Sequence, residues 1–353
     1  MTGARRTRAG LFRIPARSAP AGTQREVTDL DKGFMWCYML RLGDHTSDDA
    51  SNPPRGIYLP KVYREEMETE EAAWDEIVAF LPSQGINAIL VDVLDGVRMD
   101  SHPEIAVPNA WSKEVTKRKL DEARALGLTP IPKLNFSAGH SVWLKQYRRM
   151  ISTPVYYEVC RDLIDETCEL FGRPALFHLG LDEEMPANQK DNEMILVRSE
   201  ELRWHDYEFL FDCCGRNGAR PWVWSDYYWT HPEEFRRRMP KDVLQSNWFY
   251  FNMLADGATC EPAGWEPAFR AFEELEALGY DQVPTGSTWA NETAMMQVAA
   301  HCSRIVAPER LKGFLTASWA RLKTDNLWQL KNDAFRLGEA ARTVSGAEGE
   351  GAV

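Results

Sequence analysis

Between residues 33 and 341 the chain alternates eight times between a short apolar stretch and a longer one of helical period. The apolar stretches are GFMWCYML (33–40), NAILVDV (87–93), LTPIPKLNF (128–136), ALFHLGL (175–181), PWVWSDY (221–227), VLQSNWFYF (243–251), DQVPTGSTW (281–289) and GFLTASW (313–319). Runs this short and this apolar, bounded by turn residues, read as strands buried on both faces. The stretches between them read as helices over 72–81, 116–126, 156–171, about 193–214, 231–239, 268–278, 292–305 and 327–341. Strict alternation demands a parallel sheet joined by crossover helices.

Eight such units close most naturally into a single (β/α)8 TIM barrel, an α/β fold. The competing architecture, an open doubly wound sheet, would more often carry a glycine-rich phosphate turn after its first strand, and GDHTSDDASNPPRG is not one. The helices end at glycine with the next strand close behind, as in SQGIN, ALGLTP, LFGRPAL, RNGARPW and ALGYDQ. Long connections follow strands instead, notably 43–71 and 94–112, which marks the barrel face where active sites sit. The expected organisation is a disordered basic tail over 1–30, a catalytic barrel over 31–342 and a flexible tail over 343–353.

Composition narrows the partners. Lys and Arg total 41 against 53 Asp and Glu, a net charge of −12, which argues against a general nucleic-acid binder and for a neutral or cationic small substrate. No stretch of about 18 apolar residues exists to span a membrane. The N-terminal MTGARRTRAGLFRIPARSAPAG has paired arginines but no apolar segment behind them, so no usable signal peptide is read and a cytoplasmic location is expected. Seven cysteines, with Cys213 and Cys214 adjacent and no paired C-x-x-C spacing, read as reduced core thiols. No cofactor and no metal are expected, and oligomeric state is left open. Thirteen tryptophans supply flat rings both for the core and for lining a carbohydrate site.

Strand alternation then says which side chains meet. In FHLGLD, Phe177, Leu179 and Leu181 face the helices, while His178, Gly180 and Asp182 face the axis. Asp182 sits at the C-terminal end of the strand and Glu183 turns out over the mouth. The same rule puts Trp222, Trp224 and Asp226 on one side of the fifth strand, Ser246 with Trp248 on the sixth, and Ala317 with Trp319 on the eighth. A carboxylate pair at the mouth of an aromatic-walled pocket suits glycoside cleavage, which needs a proton for the leaving oxygen and stabilisation of an oxocarbenium-like centre. The expected electrostatics are that Asp182 raises the pKa of Glu183 and keeps it protonated as an acid. Glu184 is read as a bystander, solvated or paired with an arginine.

With those residues in place, the sequence resembles glycoside hydrolase family 20, the β-N-acetylhexosaminidases, over most of residues 30–330. The family's fourth strand carries H-x-G-G-D-E, matched by His178-Leu-Gly180-Leu181-Asp182-Glu183 except for one glycine. IPKLNFSAGH (131–140) is similar to the family's I-P-E-I-D-M-P-G-H, and DVLDGVRMDSHPEI, which contains Asp95, looks like its T-D-D-Q-G-W-R-L-E-I. The family's three pocket tryptophans fall on Trp224, Trp248 and Trp319. The resemblance implies a substrate-assisted retaining mechanism in which the sugar's 2-acetamido oxygen attacks the anomeric carbon. It implies Asp182 orienting the acetamido N–H, Glu183 as general acid/base and His140 supporting Glu183. Further substrate contacts are then expected from Trp289, Asp226, Arg41, Asp95 and His178.

The chain also departs from the family pattern. Trp289-Ala290-Asn291 stands where the family has W-Y-x-D, so the tyrosine that bonds the acetamido oxygen is absent. Trp319-Ala320-Arg321 replaces W-G-E, Asn135 stands for an aspartate, and the usual small N-terminal α/β domain has no counterpart. Three other readings therefore remain: a glycosidase of a non-acetamido sugar using Glu184, Asp226 or Asp92 as second carboxylate; a sugar-binding protein on the same scaffold; and a metal site from His178, Asp182 and Glu184.

Overall fold

The computed structural model describes residues 33–43, 66–190, 192–253, 260–261 and 263–350. The basic N-terminal tail and most of the 43–71 connection lie outside them. The eight parallel strands are β1 (Met35–Arg41), β2 (Ala88–Asp92), β3 (Thr129–Lys133), β4 (Leu176–His178), β5 (Arg220–Trp224), β6 (Leu244–Ser246), β7 (Thr285–Gly286) and β8 (Gly313–Ala317). Their spatial order is 6-5-4-3-2-1-8-7. Parallel bridges between Gln245 and Gln282 and between Trp248 and Thr285 join the two ends, so the sheet closes into the expected (β/α)8 barrel.

Eight main helices cover it: α1 (Glu71–Phe80), α2 (Lys113–Ala125), α3 (Pro154–Leu170), α4 (Glu200–Arg216), α5 (Pro232–Arg238), α6 (Glu266–Ala277), α7 (Ala294–Ile305) and α8 (Leu327–Glu350). Local chemistry sets their ends. Ser112 accepts from the Val115 N–H at the start of α2, Thr153 caps α3 with Pro154 at its first position, and Gly127 (φ 83°) ends α2 in the left-handed conformation. The last helix runs to Glu350, nine residues past the expected end at 341, because SGAEGE continues it without a proline or a cap. A two-stranded antiparallel ribbon, Asn252–Met253 with Cys260–Glu261, follows β6 and has no period-two signal long enough to find in sequence.

Two apolar layers result. The outer one packs helices on strands and contains Phe177, Leu179 and Leu181, as alternation requires. The inner one fills the barrel with Met35, Met39, Leu90, Ile131, Trp222, Trp224, Trp248 and Tyr250 among others. All seven cysteines are buried. Among the described residues no helix is long and apolar enough to cross a membrane.

Candidate active site

Register builds the floor of the site. Arg41 pairs with Asp92, Asp92 with Lys133, Lys133 with His178, and His178 with Trp222. Partners in a parallel sheet point to the same side, so these five side chains form one inward-facing belt. Lys133 Nζ donates to Asp92 Oδ2 at 2.6 Å, an ion pair buried on both sides. His178 lies between Trp222 and Trp224, with ring centroids 4.9 and 4.5 Å away, and its Nδ1 accepts from the Gly180 N–H at 3.0 Å. Burial and the Lys133 cation push its pKa well below the ordinary value, so His178 is a neutral ring.

Above this belt β4 stops after three residues and turns sharply. Gly180 takes φ 70°, and a Cβ there would lie 2.1 Å from Asn135 Oδ1, so only glycine fits. Leu181 follows at φ 72° and Glu183 at φ 54°. Leu181 stands where the family motif has its second glycine, and its side chain keeps the left-handed backbone at a cost of about 1–2 kcal/mol. Burial of that side chain in the outer core offsets the strain, and Asn135 Oδ1 receives its N–H at 3.3 Å. Strained residues thus stand on either side of the buried Asp182 carboxylate.

That turn delivers Asp182 and Glu183 to one imidazole. His140 Nε2 lies 3.4 Å from Asp182 Oδ2 and 3.4 Å from Glu183 Oε2. Asn135 Nδ2 donates to the other oxygen of Asp182 at 2.8 Å. Burial opposes charge on Asp182, but His140, Lys133 and Asn135 outweigh it and hold the carboxyl far below the usual range. Burial also opposes charge on His140, and the two carboxylates overcome it, raising the imidazole to about 10.

Glu183 departs from expectation. Burial and Asp182 both push its pKa up, yet His140 and the Asn188 side chain bring it below the ordinary value. The expected repulsion is present, but an imidazolium in contact with both acids exceeds it. The carboxyl that is held protonated is Asp226, raised to about 8 by burial first and then by the charges of Asp182 and Glu183. Its Oδ2 accepts from the Glu183 backbone N–H at 2.8 Å.

Glu184 turns the other way. Its carboxylate is buried against Arg198 and Arg203 and accepts from the Ala138 N–H at 3.0 Å, tying the strand-four turn to the segment that carries His140. Arg198 also pairs with Asp206 at 2.8 Å. Of the two options left by sequence, solvated or paired with arginine, the second holds. The set His178, Asp182 and Glu184 is consequently not gathered around one point.

Trp224, Trp248 and Trp319 all join the inner aromatic cluster, with Trp319 the more open. Arg41 extends over the Trp319 ring with its guanidinium 5.4 Å from the centroid. Asp95 is buried in the loop after β2. Trp289 is 48% exposed and stands outside the cluster, its edge towards Phe251 at 6.5 Å. Two residues escaped the sequence reading. Lys133 was hidden inside IPKLNF, where a lysine on the barrel axis is intelligible only once Asp92 is known to be its register partner. Tyr250 stacks on Trp248 (4.9 Å, 27°) and makes a T-shaped contact with Trp319 at 6.5 Å. Burial raises its phenol, and the charges of Asp182, Glu183 and Asp226 add to that effect.

The arrangement is a (β/α)8 barrel with a histidine-bridged carboxylate pair beyond the C-terminal end of its fourth strand and an aromatic cluster inside the barrel. Solved structures share the fold. A GH20 exo-β-N-acetylglucosaminidase from Vibrio harveyi in complex with N-acetylglucosamine superposes with a TM-score of 0.56 at 15% identity, covering 86% of this chain and 54% of that one. The β-N-acetylhexosaminidase from Bacteroides fragilis gives 0.58 at 13% identity, with 86% and 65% covered. Dispersin B gives 0.53 at 15% identity, with 77% and 94% covered. The chain thus has the fold of these catalytic barrels and spans about half the length of the first of them. No family model matches the chain, and no curated protein matches it.

Proposed function

We propose that the chain is a glycoside hydrolase of family 20 type, acting from the non-reducing end on a β-linked N-acetylhexosamine or a closely related sugar. The observation that carries this reading is the contact of His140 Nε2 with both Asp182 and Glu183 at 3.4 Å, at the end of the fourth barrel strand. An acid pair bridged by a cation has one carboxylate fixed as an anion and one that can exchange a proton.

In this mechanism Asp182, held anionic, accepts the acetamido N–H and turns the carbonyl oxygen towards the anomeric carbon. That oxygen forms the new bond to the anomeric carbon as the glycosidic bond breaks. Glu183, the more open of the pair, delivers a proton to the leaving oxygen. In the resting site that proton sits on His140. A sugar that displaces water around Glu183 raises its pKa, so the proton passes from Nε2 to Oε2 before transfer. Water then attacks the anomeric carbon and gives its proton to Glu183, and the acetamido oxygen leaves. Tyr250 is the candidate donor for the acetamido oxygen in place of Ala290: it stacks on Trp248 within the inner aromatic cluster and carries a phenol O–H.

A second reading has a specific observation behind it: Asp226 is a protonated carboxyl near an anionic Glu183, as a covalent glycosidase of a non-acetamido sugar requires. Burial and the engagement of Asp226 Oδ2 by the Glu183 N–H weigh against it. Trapping with a 2-fluoro sugar separates the two, since only the covalent mechanism leaves a labelled Glu183. Activity on nitrophenyl N-acetyl-β-glucosaminide, inhibited by a thiazoline analogue of the cyclised acetamido group, supports the first.

A further inference from the structure

We propose that Asp226 is a positioning residue for Glu183: from the end of β5 its carboxyl grips the Glu183 backbone N–H, fixes the left-handed turn at that residue and so sets where the Glu183 carboxyl stands relative to His140. The inference rests on the hydrolase reading and assigns Asp226 no direct contact with the sugar.

The geometry is that of a clamp. Glu183 has φ 54°, a conformation that a residue with a Cβ does not adopt unless its surroundings impose it. Its carbonyl oxygen is held as well, accepting from the Met185 N–H at 2.8 Å. On the amide side the partner is Asp226 Oδ2 at 2.8 Å, at a residue that lies beyond the end of β4 at His178. Without an acceptor, a largely enclosed N–H in a strained turn would drive the turn to relax.

Asp226 is suited to hold it. The residue is 3% exposed, and its second oxygen is buried without a hydrogen-bond partner among the described residues. Its backbone is anchored by hydrogen bonds. Ser225 N–H donates to the Ser246 carbonyl, the Asp226 carbonyl accepts from Trp229 N–H at 3.0 Å, and the Trp229 indole N–H donates to Asn247 Oδ1 at 2.8 Å. A support anchored to β6 in this way positions its target better than a loop would. Burying a third acid beside Asp182 and Glu183 is unfavourable electrostatically, and the clamp supplies a reason for the residue to be an acid or its amide.

The test compares wild type, Asp226→Ala, Asp226→Leu and Asp226→Asn. Steady-state kinetics on nitrophenyl N-acetyl-β-glucosaminide and amide hydrogen exchange over residues 181–185 are measured. Leu fills the space where Ala fails to fold. Loss of the acceptor (Ala or Leu) is expected to lower kcat on the order of 10²-fold, the effect of misplacing a reacting group by about 1 Å. KM should stay within about threefold, because ground-state binding is not the target. Asn, whose amide oxygen still accepts from the N–H, should recover kcat to within about tenfold of wild type. Exchange at Glu183 should be fast in the Ala or Leu variant and slow in Asn and wild type. A KM that rises as far as kcat falls in every variant, or wild-type kcat in all of them, overturns the proposal. If wild type hydrolyses no glycoside, the hydrolase reading fails on its own. Exchange then still decides: protection lost only without the acceptor supports the clamp, and equal protection in all variants overturns it.

Discussion

His140 Nε2 lies 3.4 Å from Glu183 Oε2, and in the resting site the shared proton belongs to the imidazole. Replacing His140 with alanine removes the cation that holds Glu183 below its ordinary pKa. The proton that His140 holds up to about 10 must then be carried by the carboxyl alone, so the alkaline limb of the kcat/KM profile should move to lower pH, and kcat should fall by about 10²-fold as the proton relay is lost. An unchanged pH profile in the variant would show that the imidazole does not govern Glu183.

Folding stability carries the same signature. His140 is raised in the folded state to about 10 from an ordinary 6.5, so its contribution is fully present below pH 6.5 and is lost as pH rises through 10. Asp226 is raised to about 8 from 3.8. For a raised acid the folded state binds more protons, so stability declines as pH climbs from about 4 to about 8 and is then flat. Asp226→Asn should remove that decline. Its melting temperature relative to wild type should rise by several degrees between pH 5 and pH 8, measured by calorimetry across the range.

Lys133 and Asp92 offer a prediction independent of any activity. Lys133→Met leaves Asp92 buried without its cation and should destabilise the barrel by about 3–5 kcal/mol. The double change Lys133→Met with Asp92→Leu should recover most of the loss, because no unpaired charge remains. Denaturant midpoints for the four proteins measure the coupling directly.

Tyr250→Phe keeps the ring on Trp248 and removes the hydroxyl. On an acetamido substrate, kcat/KM should drop about tenfold, the scale of one hydrogen bond. Binding of a sugar lacking the acetamido group should change much less. Equal losses on both substrates would assign the phenol to packing.

The barrel was legible from sequence because its eight apolar runs are separated by helices with ordinary caps and glycine exits, and alternation alone placed His178 on the axis. The turn beyond β4 was less legible. The motif carried a leucine at a left-handed position, and a sequence shows neither that strain nor the burial of Leu181 that balances it. The electrostatics of Glu183 were read with the wrong sign because adjacency along the chain reveals Asp182 but not an imidazole arriving from the loop after β3. Lys133 and Tyr250 were missed for a related reason: their meaning lies in register partners and ring contacts on other strands. The extent of α8 was under-read because its closing Ser and Gly residues carry little helix signal of their own.

The most direct test of the account is hydrolysis of nitrophenyl N-acetyl-β-glucosaminide by wild type and Glu183→Gln, with melting temperatures confirming that both are folded. The account expects measurable turnover by wild type and a loss of about 10²–10⁴-fold in kcat when Glu183 can no longer carry a proton. Turnover that survives the substitution undiminished, or a folded wild type that cleaves no β-N-acetylhexosaminide, would contradict it.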